Sequence, residues 1–133
     1  MLSKVVYNEF GAQVSGNQIY ADRARMDFTL ENLTPEIIQK TEQKANEIIS
    51  QNRKINILFV DRNEAIKKVD LKRTRIDLLP QEIKNIRLVE IENFDIDACA
   101  GTHVRNTSEI GRLKIVKTEN KGKGKRRIEI ILE

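Results

Sequence analysis

Tryptophan is absent from this chain and aromatic residues make up only 5% of it, so aliphatic side chains must fill most of any core. A single cysteine, Cys99, excludes an intrachain disulfide. A reducing, cytoplasmic setting follows as the expectation. No apolar run reaches the length of about eighteen residues that a membrane-spanning helix needs. The first residues, Met1-Leu2-Ser3-Lys4-Val5-Val6, lack the long apolar stretch of a secretory signal. Glycine-rich strand-to-helix turns of the dinucleotide or P-loop type are also missing, which argues against nucleotide hydrolysis. Internal repeats are absent, and the one compositionally biased patch is the short Lys-Gly alternation of Lys121 to Lys125.

What the chain does contain is 133 residues, 39% hydrophobic and 33% charged, a composition that suits one soluble domain spanning residues 1–133 with a solvated surface. The net charge of +4 is modest, but its distribution is uneven. Between Arg112 and Arg127 lie Arg112, Lys114, Lys117, Lys121, Lys123, Lys125, Arg126 and Arg127, opposed by Glu119 alone. Such a stripe is an electrostatic footprint for polyanions. It is equally the composition of a solvated hairpin tip.

Apolar residues at Leu2, Val5, Val6 and Phe10 recur at helical spacing, and Gly11 follows as a stop signal. Gln13 to Tyr20 and Arg23 to Leu30 have strand character, the second with Ala24, Met26, Phe28 and Leu30 on one face. Thr34-Pro35 opens the clearest helix, which runs to about Gln51. Its inward stripe is Ile37, Ile38, Thr41, Ala45, Ile48 and Ile49. Ile55 to Val60 reads as a strand, Arg62 to Val69 as a short helix, and Ile86 to Ile91 as another strand. From Asp95 to Gly111 the pattern loosens. Leu113 and Ile115, facing Ile128, Ile130 and Leu132, form a closing hairpin with Gly122 and Gly124 in its loop. The expected class is α+β, a mostly antiparallel sheet packed with two or three helices.

Chemistry concentrates in Asp95-Ile96-Asp97-Ala98-Cys99-Ala100-Gly101-Thr102-His103-Val104, which holds both the one cysteine and the one histidine of the chain. Thiolate and imidazole are ordinary zinc ligands, and a spacing of four lets both point at one ion. Gly101 permits a tight turn or the close approach of a ligand. Two other readings stay open: a buried cysteine beside a hydrogen-bonded histidine, and a nucleophilic pair in which His103 deprotonates Cys99. For the pair, Asp95, Asp97 and Glu109 are the groups that would orient the imidazole. A zinc site takes three or four protein ligands, so Cys99 and His103 cannot be a complete set.

Cys99-Ala100-Gly101-Thr102-His103-Val104, followed by Thr107, Glu109-Ile110-Gly111, Lys114-Ile115 and Arg126-Arg127-Ile128-Glu129, resembles the C-terminal signature of alanyl-tRNA editing domains. These occur within alanyl-tRNA synthetases and as freestanding proteins, with a related domain in threonyl-tRNA synthetases. The strand from Arg23 to Leu30, the Thr34 helix and Arg75-Ile76-Asp77-Leu78-Leu79-Pro80 are similar too, so the resemblance covers most of the chain. The family's usual motif is C-G-G-T-H, and Ala100 departs from it.

The resemblance implies hydrolysis of the ester joining a wrong amino acid, serine or glycine, to alanine tRNA, with zinc as cofactor. It implies Cys99 and His103 as two zinc ligands. Gly101 and Thr102 become candidates for substrate contact, Thr102 also for a loop-capping hydroxyl. Lys121, Lys123, Lys125, Arg126 and Arg127 become candidates for phosphates of the tRNA. The family carries a second ligand pair, H-x-x-x-H, directly before a stretch similar to Leu2-Ser3-Lys4-Val5-Val6. Here that position falls before Met1, so the N-terminal helix reads as the back half of a longer one. Truncation, natural degeneration and ligands from a partner subunit or homo-oligomer each account for this. Asp97 and Glu109 are the substitutes within the chain, and impaired zinc binding is the expectation. His103 is the sole candidate for a general base.

Overall fold

The computed structural model describes all residues, Met1 to Glu133. Its three α-helices and two antiparallel sheets make an α+β fold. The chain folds as two compact units: Met1–Asn52 with Ser108–Glu133, and the intervening Arg53–Thr107.

In the first unit, α1 (Leu2–Phe10) ends at Gly11, whose φ of 68° is left-handed. The Gly11 N–H caps the carbonyl of Tyr7 at 2.8 Å, which fits glycine's tolerance of that conformation. Strands β1 (Val14–Ile19) and β2 (Ala24–Phe28) form a hairpin. The helix α2 (Pro35–Ser50) starts as its sequence dictates: the Thr34 hydroxyl accepts from the Ile37 N–H at 3.3 Å, and Pro35 occupies the first turn. After the second unit come β6 (Leu113–Asn120) and β7 (Arg126–Leu132), and the four strands stand in the order β1-β2-β7-β6. The core joins Leu2 and Val6 of α1, Phe28, Ala45, Ile49, Leu113 and Ile128, all buried. Side chains of α2 also complete the outer edge of β6. Asn46 both accepts from the Leu113 N–H and donates to its carbonyl, and Glu42 accepts from the Ile115 N–H, so edge groups that would otherwise seek a partner are satisfied.

The second unit is a three-stranded sheet, β3 (Ile55–Asp61), β4 (Asn85–Ile91) and β5 (Asp95–Ala98), in that order. Between β3 and β4 lie α3 (Arg62–Lys68) and a short 3-10 turn, Ile76–Leu78. Asp61 ends β3 and caps α3, accepting from the Glu64 N–H at 2.9 Å. One sheet face packs Leu58, Val60, Ile86, Leu88, Ile96 and Ala98 against Ala65, Ile66, Val69, Ile76 and Leu79. By the alternation of a strand, Ile57, Phe59, Arg87 and Val89 turn to the other face. The segment Arg75–Pro80 is tied down by Arg62, whose guanidinium donates to the carbonyls of Ile76, Leu79 and Pro80. The ends of the unit are joined as well: Arg53 N–H donates to the Thr107 hydroxyl at 2.8 Å, and Thr107 N–H to the Arg53 carbonyl at 2.9 Å.

Candidate functional site

Asp95 to Ala98, where the sequence pattern loosens, is a regular strand, and it delivers the chain directly to Cys99. Its alternation is carried by Ile96 and Ala98 inward and by two aspartates outward, so hydrophobicity alone gives too weak a signal. Both aspartates are held. Asp95 forms a pair with Arg73 at 2.6 Å in which each side chain is only 7% exposed, and Asp97 accepts from the Thr74 hydroxyl. The loop after Cys99 is pinned from the neighbouring strand. The Arg87 guanidinium donates to the carbonyls of both Cys99 and Gly101, while the Cys99 N–H donates to the Arg87 carbonyl at 3.3 Å. Arg87, Arg73 and Thr74 are thus residues that sequence reasoning missed. Their partners lie 12 to 23 positions away, beyond any local motif.

Cys99 and His103 are both exposed, with Gly101 and Thr102 exposed between them. At Gly101 an added Cβ would sit 3.6 Å from the Cys99 sulfur, an ordinary contact. A small side chain would fit beside the thiol, so glycine is not sterically required at this position. This is an open loop with a soft and a borderline donor, which matches zinc chemistry. The donor set does not by itself complete a zinc site, because no group of three His, Cys, Asp or Glu side chains is placed to hold an ion. Asp97, the nearest acidic substitute in sequence, is engaged by Thr74, and Asp95 by Arg73. Glu109 belongs to the other unit.

The basic stripe resolves into two kinds of cation. Arg127 forms a forked pair with Asp27 across β2 and β7, at 2.7 and 3.1 Å. Arg126 folds the hairpin, donating to the Asn120 side chain and to the carbonyls of Gly122, Lys125 and Glu31. These two arginines serve the fold. The lysines sit farther out. Lys121 shares Glu119 with Lys117, Lys125 lies 3.7 Å from Asp27, and Lys123 is exposed at the turn. No helix of the structure is long and apolar enough to cross a membrane.

Residues 86–129 match a family profile described as the threonyl and alanyl tRNA synthetase second additional domain. The chain is 42% identical over 132 residues to a protein named alanyl-tRNA editing protein AlaX-M of Methanosarcina barkeri, covering 99% of this chain and 54% of that protein. It is 36% identical over 128 residues to a protein of the same name from Saccharolobus solfataricus, 96% of this chain and 53% of that one. Against an alanine–tRNA ligase of Methanococcus maripaludis it is 36% identical over 116 residues, 86% of this chain and 13% of the ligase. The chain thus spans about half the length of the editing proteins it matches.

Proposed function

The chain belongs to the alanyl-tRNA editing domain family, and from that premise we propose that it serves aminoacyl-tRNA editing, the hydrolysis of serine or glycine esters of alanine tRNA. The observation that carries the reading is the pinned loop holding Cys99 and His103, which lies inside the matched family segment. The task has a physical rationale. A synthetase pocket shaped for alanine discriminates poorly against neighbours differing by one small group, so a second site must remove the errors.

Cys99 and His103 would supply two ligands of a zinc ion, and no third His, Cys, Asp or Glu stands with them to hold it. Zinc, when bound, polarises an ester carbonyl or lowers the pKa of a water. The chain's own contribution is to hold two donors on a fixed backbone through Arg87, and to offer phosphates the lysines 121, 123 and 125. The partner is tRNA, and the setting is cytoplasmic. Because the chain supplies only two donors, a second reading stands beside the first: a tRNA-binding module without turnover of its own.

Release of serine from mischarged alanine tRNA, measured with and without added zinc, separates the two. Zinc-dependent turnover that Cys99→Ser abolishes is the result expected of an editing site. Absence of turnover in both conditions, with tRNA binding retained, assigns the binding module. Loss of both activity and binding would defeat the proposal.

A further inference from the structure

Phe59 is 75% exposed, whereas every other phenylalanine and tyrosine is at least partly buried and Phe28 is fully so. An exposed phenylalanine forgoes roughly 2 kcal/mol of burial, and nothing in the packing of the second unit requires it. Its position is specific. Phe59 pairs with Arg87 across β3 and β4, and Arg87 in turn receives the Cys99 N–H. The three residues therefore form one row across the sheet, on the face that α3 does not cover, with Ile57 beside the ring at 40% exposure. Adjacent strands lie about 4.8 Å apart, so the row from Phe59 to Cys99 spans about 10 Å.

We infer that this row is a binding platform for the 3′ end of a single-stranded RNA, with the terminal base stacked on Phe59 and the adjoining phosphate near Arg87. Stacking on an exposed aromatic is sequence-tolerant and strong for its size, because every base presents a π-face. Arg87 suits the neighbouring anion, since a guanidinium carries five donors and only Nη1 is used in pinning the loop. Of the two carboxylates on β5, Asp95 is neutralised by Arg73, and Asp97 is held by the Thr74 hydroxyl. Cys99 stands at the other end of the row, so an ester on the 3′ end of a nucleotide stacked on Phe59 would lie within about 10 Å of the thiol-bearing strand end. The inference rests on the editing reading and names the residue that orients the substrate there.

The absence of tryptophan from the chain makes the test direct. In Phe59→Trp the new indole is the sole tryptophan reporter. An RNA oligonucleotide ending in CCA should quench it, and the same oligonucleotide with an abasic last residue should not. In the otherwise native chain, Phe59→Ala should weaken binding of the CCA oligonucleotide at least about fivefold, with unchanged affinity for the abasic one. Substitution at so exposed a position leaves the fold intact, which circular dichroism verifies.

If Phe59→Ala binds the CCA oligonucleotide like the parent chain, while serine at Lys121, Lys123 and Lys125 weakens it, the platform is wrong and the editing reading survives. If the parent chain binds no RNA, both fall. A concentration-dependent dimer that Phe59→Ala abolishes, with RNA affinity untouched, assigns the ring to a second copy of the chain and overturns the inference.

Discussion

Asp27 stands opposite Arg127 on a half-buried pair of strands, and its fate illustrates what a single charge does here. Hydrogen bonding from Arg127, reinforced by the charges of Arg127 and Lys125, holds its carboxyl below the ordinary value of 3.8 despite the opposing effect of burial. A group whose pKa is lower in the folded state stabilises the fold at pH values above its unfolded pKa. That contribution is lost as the pH falls through the folded value. Asp27→Asn should therefore cost about 2 kcal/mol at neutral pH. In urea titrations the gap between mutant and parent should close in strong acid, below the ordinary carboxylate range. This pairing is not legible in the sequence. Arg127 lies 100 positions from Asp27, and read locally it belongs to a basic stripe with an external partner. Cys99 and His103 are legible, because a short motif needs no knowledge of the fold. Arg87, which positions their loop, is invisible for the opposite reason.

At the level of elements, local physics and sequence agree most closely in α2 and α1. A capping threonine, a first-turn proline and a terminal left-handed glycine act within one turn of themselves. The strand β5 is hidden in the sequence because its outward residues are acidic and find their partners in Arg73 and Thr74. At the tip of the β6–β7 hairpin the cations divide, with Arg126 and Arg127 at the start of β7 fastening the strands and the lysines in the loop beyond them. Replacing Lys121, Lys123 and Lys125 by serine should weaken tRNA binding. It should also flatten the dependence of log K on log salt by about one for each phosphate that is no longer neutralised. Filter-binding titrations across salt concentrations measure this, and an unchanged slope would show that the hairpin tip touches no phosphate. Arg126 and Arg127 are poor choices for that test, since removing them unsettles the sheet.

On the scale of the whole molecule, one unit is inserted into the other. The chain leaves the first unit at Asn52, builds the second from Arg53 to Thr107, and returns at Ser108. Composition carries no mark of these boundaries: neither Pro nor Gly flanks them, and the residues there are ordinary polar ones. The α+β class is readable from periodicity. The division is not, because it is written in hydrogen bonds between residues more than fifty positions apart, such as Arg53 with Thr107 and Asn52 with Ser108.

That doubled clasp at the neck of the insert also dictates how the molecule would respond to being pulled. Tension applied to its two ends runs through the first unit and bypasses the second while Asn52 and Ser108 remain together. In an optical trap the first unit should therefore yield first. The insert then comes into line and unzips from the clasp, releasing up to roughly 190 Å of extended chain. Extension in the reverse order would mean that load reaches the inserted sheet by another path.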